Sequence, residues 1–100
     1  MKTIMLVCSA GMSTSLLVTK MEAAAKAQAI DVKIFAVSEA ESSRHFDSID
    51  VLLLGPQVRF LKKKIEKAVE GKNIPVEVIE SIDYGTMNGE SVLAKALALL

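Results

Sequence analysis

One stretch of this chain joins a nucleophile to an anion-binding backbone: Cys8-Ser9-Ala10-Gly11-Met12-Ser13-Thr14-Ser15. It holds the only cysteine, set between an apolar run, Ile4-Met5-Leu6-Val7, and a helix-forming segment that begins near Ser13. If the run is a strand and the segment a helix, the thiol stands at the strand's carboxyl end. A tight loop there turns backbone N–H groups inward toward the helix N-terminus. The positive end of a helix dipole and the N–H groups of a first turn favour a phosphate oxygen or a thiolate. The hydroxyls of Ser9, Ser13, Thr14 and Ser15 add donors. Gly11 suits a backbone angle that other residues resist, and the small Ser9, Ala10 and Ser13 let a phosphate approach the main chain closely. Thiolate is the reactive form of cysteine, so the pattern reads as a nucleophile that accepts a phosphoryl group.

The nearest rival with this layout is a cysteine phosphatase of the low-molecular-weight type, or a thiol reductase on the same fold. Those families place an arginine six positions after the nucleophile and an aspartic acid, typically before proline, as general acid. Here position 14 is threonine, and no Asp-Pro pair exists. Without the arginine a transferring phosphoryl group loses its charge clamp, and without the acid–base residue water is poorly activated against a phosphocysteine. Such a loop holds phosphate and passes it on, although Arg59, on a neighbouring loop, could reach in. A non-catalytic anion-binding module is the third reading.

The elements that must position this loop follow from the apolar pattern. Lys2 to Val7 is nearly continuous in apolar character, as a strand buried on both faces of a parallel sheet is. From about Ser13 to Gln28, Leu16, Leu17, Met21, Ala24, Ala25 and Ala29 predict one apolar helix face. Asp31 to Val37 predicts a second strand, and Ser38-Glu39-Ala40-Glu41 a short helix ending near Arg44. Asp50 to Leu54 predicts a third strand closed by Gly55-Pro56. Val58 to Glu70 predicts an amphipathic helix with Gly71 at its carboxyl cap. Pro75 to Ile79 predicts an edge strand, Ser81 to Gly85 a loop, and Asn88 the cap of a last helix from Gly89 to Leu100. Alternation of this kind implies a single α/β domain, a four-stranded parallel open sheet with helices on both faces. Ligands of such sheets bind outside the carboxyl ends of the strands, where strand order reverses. The Cys8, Gly55-Pro56-Gln57 and Asp83-Tyr84-Gly85 loops are therefore expected on one rim.

Composition narrows the partners. Of 100 residues, 12 are Lys or Arg and 12 are Asp or Glu, a formal net charge of zero that gives no electrostatic case for nucleic acid or an anionic membrane. The apolar stretches around residues 4–9 and 51–55 are far short of the roughly 20 residues a membrane span needs. A single Lys2 precedes the first strand with no small-residue cleavage pattern, so no signal peptide is expected. A lone cysteine forms no internal disulfide, which points to a reducing compartment, the cytoplasm. No cysteine cluster or histidine pair stands at ligand spacing, so neither metal nor cofactor is expected.

The run Leu6 to Val18 (LVCSAGMSTSLLV), with Leu53-Leu54-Gly55-Pro56-Gln57 and with Val76 to Ile79 followed by Asp83-Tyr84-Gly85, resembles one known family. It is the enzyme IIB component of the lactose, cellobiose and chitobiose class of the bacterial sugar phosphotransferase system. The resemblance covers essentially the whole chain, so residues 1–100 are expected to form one IIB domain. It implies a small cytoplasmic protein that takes a phosphoryl group from a phosphohistidine on a IIA partner. The group then passes to a β-linked disaccharide held by the membrane component IIC. Carried over by position, Cys8 is the phosphorylated residue and Ser9 to Ser15 the phosphate-binding loop.

Other residues each have a functional and a bland reading. Gln57 is a rim contact or simple punctuation after a strand, and Arg59 is a second rim candidate. Tyr84 caps the rim, meets a partner, or is a half-buried aromatic. His45 reads as a solvated loop residue, with a phosphoryl acceptor as its other reading, and Lys62-Lys63-Lys64 as the wet face of a helix, with docking of an acidic partner as theirs. Met12 has no packing reason at the tip of the loop, which makes it a candidate for a partner-docking surface around Cys8.

Overall fold

The computed structural model describes residues 1–9 and 14–100 in full and the backbone of residues 12 and 13; Ala10, Gly11 and the side chains of Met12 and Ser13 lie outside the described residues. Four strands, β1 (Lys2–Cys8), β2 (Val32–Ser38), β3 (Val51–Leu54) and β4 (Val76–Val78), form a parallel sheet in the order β2-β1-β3-β4. The helices are α1 (Met12–Ala27), α2 (Glu39–Ser42), α3 (Lys62–Ala68), α4 (Ser81–Gly85) and α5 (Gly89–Ala98). β1 is flanked on both sides, and the chain crosses from β2 on one side to β3 on the other. The order therefore reverses beside β1, which puts the ligand crevice of such a sheet at its carboxyl end. β4 is one edge, as its acid-interrupted alternation foretells, and β2 is the other.

Alternate residues of β1 build two separate cores. Ile4 and Leu6 pack with Leu17, Met21 and Ala25 of α1 and Val92, Leu93 and Ala96 of α5. Met5 and Val7 pack on the opposite face with Val58, Leu61, Ile65 and Val69. Ile4, Met5, Leu6 and Val7 are all fully buried, which explains a strand without polar alternation. Where α5 begins, a Cβ on Gly89 would lie 2.4 Å from the Lys20 carbonyl carbon, so only glycine allows α5 to start against the backbone of α1.

Several expected details differ. Leu16 is half exposed, because Leu17 next to it takes the core position and successive helical residues diverge by about a quarter turn. Ala29 lies beyond α1, with φ 56°. Its N–H donates to Lys26 O and that of Ile30 to Ala25 O, a Schellman ending in which alanine occupies a position that favours glycine. The helix expected from Val58 is a 3₁₀ segment over Pro56–Leu61 leading into the shorter α3, broken at Val58 by φ −119°, ψ 24°. Gly71 has φ 85° but stands beyond the cap residue, Val69. Ser81 to Gly85, expected as a loop, is the one-turn helix α4. Asn88 does cap α5, its Oδ1 accepting the Ser91 N–H at 3.1 Å. His45 is not simply solvated: its ring meets that of Phe35 edge-on, centroids 5.0 Å apart.

Candidate functional site

The carboxyl ends of β1, β3 and β4 are tied into one rim. Gly55 N–H donates to Val7 O at 2.9 Å, and Ile79 N–H donates to Leu54 O at 2.8 Å. Above these backbone bonds, side chains from three connections meet. The Tyr84 hydroxyl, on α4, lies 3.2 Å from Thr14 Oγ1 in the first turn of α1. Gln57 Nε2, from the turn after β3, donates to the same phenolic oxygen at 3.0 Å. Thr14 is completely buried and its hydroxyl must find a partner inside the fold, which the Tyr84 hydroxyl supplies. Gly55 leaves the Gln57 side chain the place it occupies, since a Cβ there would sit 2.5 Å from Gln57 Oε1 and push that side chain aside.

Cys8 is the last residue of β1, opposite Ser38 of β2. It shares the parity of Ile4 and Leu6, which directs its side chain to the face covered by α1 and α5. Cys8 stands at the strand's carboxyl end, as the sequence suggests, and is only 1% exposed. Strand geometry is the reason: the residue still belongs to the pleat of a doubly covered sheet.

α4 is held in place by charge. Asp83 is buried; its Oδ2 accepts from Ser91 Oγ at 3.1 Å and from Lys95 Nζ at 2.8 Å, both on α5. Lys95 also reaches Glu80 Oε1 at 2.8 Å. The hydrogen bond from Lys95 holds the Asp83 carboxyl below its ordinary range, and the two carboxylates raise the affinity of Lys95 for its proton. A cavity of about 210 Å³ opens beside this cluster, between the end of β4 and α5. No spacing rule links Asp83 to Lys95, and the fold alone brings them together.

Of the residues singled out in the sequence, Thr14, Gln57 and Tyr84 are thus joined by hydrogen bonds. Ser9 and Ser15 are exposed, and the Ser15 carbonyl accepts from Thr19 Oγ1 at 3.2 Å. Arg59 is exposed on the 3₁₀ segment, away from any ion pair among the described residues. Ala10 and Gly11, and the side chains of Met12 and Ser13, lie outside the described residues. Of the three lysines, Lys62 is not merely wet: it pairs with Glu77 of β4 at 3.1 Å. Among the described residues, no helix is long and apolar enough to cross a membrane and no three side chains form a metal-holding group.

Fold and rim define a doubly wound α/β domain of the small type, its polar side chains gathered at the β1/β3 switch point. Within that class, the family model of the lactose/cellobiose-specific IIB subunit of the PTS system matches residues 3–95, and the chain belongs to this family. It is 42% identical over 100 residues to the oligo-beta-mannoside-specific EIIB component of Bacillus subtilis, covering all of this chain and 97% of that one. It is 47% identical over 104 residues to the galactose-specific EIIB component of Lactococcus lactis, covering 99% of this chain and 96% of the relative. The solution structure of a cellobiose-specific IIB component from Borrelia burgdorferi superposes with a TM-score of 0.81 at 50% identity, over 98% of this chain and 90% of that one. A lactose-specific IIB domain from Streptococcus pneumoniae, 15% identical, shares the fold with a TM-score of 0.88 over 97% and 95% of the two chains.

Proposed function

We propose that the whole chain, residues 1–100, works in the cytoplasm as a phosphocarrier, with Cys8 as the residue that is transiently phosphorylated. The thiolate sulfur attacks the phosphorus of a phosphohistidine on a IIA protein, an S–P bond forms, and the P–N bond breaks with its electron pair returning to the imidazole. A hydroxyl of a β-linked disaccharide held by IIC then attacks the phosphorus and gives up its proton to water as the O–P bond forms, and the S–P electrons return to Cys8. The observation that carries this reading is the place of Cys8, ending the central strand beside the switch point in a chain of the IIB family. Ser9 to Ser15 supply the N–H groups and hydroxyls around the phosphoryl oxygens, and Met12 belongs to the surface on which the donor docks. The buried thiol has to be uncovered when the donor arrives, because displacement at phosphorus needs in-line access.

Incubation with phosphorylated IIA followed by intact-mass measurement tests the proposal. Gain of one phosphoryl group, abolished by Cys8→Ser, is expected. Continuous release of inorganic phosphate would indicate a phosphatase instead, and an unmodified mass would leave only an anion-binding module.

A further inference from the structure

We propose that the Tyr84 hydroxyl is a positioning group for phosphoryl transfer, acting through Thr14 and oriented by Gln57; this inference rests on the phosphocarrier reading. Three features point to it. Thr14 is the described residue of the loop-to-helix turn that is fully buried, and its hydroxyl meets a phenol 70 residues further along the chain. Gln57 presents an amide N–H to the same oxygen, and an amide nitrogen only donates. Gly55, whose N–H is bonded to the carbonyl next to Cys8, leaves the space that the Gln57 side chain occupies.

A hydroxyl carries one proton and two lone pairs. Gln57 fills one lone pair of the Tyr84 oxygen, and in the proposed arrangement the phenolic proton goes to Thr14 Oγ1, a contact in which the geometry lets either hydroxyl donate. The Thr14 proton is then left to donate into the loop, toward an oxygen of the phosphoryl group. The chain of donors runs from the β3 connection through α4 to the start of α1, so each member polarises the next. All three groups are neutral, so no fixed negative charge of theirs opposes the incoming phosphoryl group. Tyr84 touches neither sulfur nor phosphorus in this scheme and works by fixing the direction of one hydroxyl.

The test compares Tyr84→Phe, Thr14→Val, their double variant and Gln57→Ala, each as the full chain with phosphorylated IIA. Tyr84→Phe and Thr14→Val each slow phosphoryl uptake about five- to tenfold, the loss expected for one neutral hydrogen bond. The double variant is no slower than the worse single one, because both remove the same link. Gln57→Ala, at an exposed position, gives a smaller loss and keeps the fold readable if a buried variant fails to form. A second readout separates positioning from support: followed by ³¹P NMR, the phosphoryl group of Tyr84→Phe takes up its second proton at higher pH than wild type, since the Thr14 hydroxyl is no longer held toward the dianion. Wild-type uptake with unchanged rate and titration in Tyr84→Phe and Gln57→Ala would overturn the positioning role alone. No uptake by wild type would instead overturn the phosphocarrier reading.

Discussion

Two neighbouring residues of α4 serve polar sites of opposite kind. Asp83 turns into a charged cluster with Lys95 and Ser91 that fastens α4 to α5, whereas Tyr84 turns to the rim and joins the neutral groups of Thr14 and Gln57. The difference bears on the proposed phosphoryl site, because a phosphoryl group carries up to about two negative charges. A carboxylate on the rim would repel it, and a lysine would hold it too firmly to release. The strong interactions lie instead on the far side of a one-turn helix, where they set its angle. The rim receives that angle through a phenol, without the charge.

Perturbing the scaffold tests this division. The largest effect is expected from Gly89→Ala, which drives a Cβ into the backbone of α1 at 2.4 Å from Lys20 C. Overpacking against a main chain that cannot rotate away costs about 3 kcal/mol, a fall in Tm of more than about 10 °C for a domain of this size. Thermal denaturation followed by circular dichroism checks it, and an unchanged Tm would mean that α1 and α5 do not meet as described.

Asp83→Asn comes next. Pairing with Lys95 lowers the Asp83 pKa from its ordinary value of 3.8, so the stabilisation is fully present above that value. It is lost as pH falls through the lower folded-state value. Urea unfolding should therefore show the variant weaker than wild type at neutral pH and equal to it in strong acid. A gap that persists in acid would assign the role of Asp83 to packing instead of charge. Ala29→Gly has the smallest effect and sharpens the contrast: it relieves a left-handed alanine between α1 and β2, at the end of the sheet opposite the rim. A gain of about 0.5–1 kcal/mol in urea unfolding is expected, with phosphoryl uptake unchanged.

The four strands and their parallel order were legible because each is a short apolar run closed by a loop signal, and alternation with helices admits few topologies. The rim was legible in outline: Cys8, Gln57 and Tyr84 follow the strands that the β-α alternation places side by side. Three features were hidden for physical reasons. A threonine in a first helical turn looks like a solvent-facing hydroxyl, and only the tertiary approach of Tyr84 makes Thr14 a buried group. Asp83 and Lys95 lie on different helices, beyond any spacing that intrahelical pairing could reveal. Ser81 to Gly85 is too short to carry helical periodicity, and its helicity depends on the Asp83 cluster and on backbone bonds such as Asn88 N–H to Asp83 O at 2.8 Å. The burial of Cys8 belongs with these, since an apolar strand reads the same whether its last side chain points into the core or out of it.

The central claim is that one sulfur carries the phosphoryl group, and locating that group is its most direct test. After transfer from phosphorylated IIA, fragmentation mass spectrometry under conditions that preserve the S–P bond should find the added group on the peptide containing Cys8 and nowhere else. A phosphoryl group on His45 or on a serine, with Cys8 unmodified, would contradict the account.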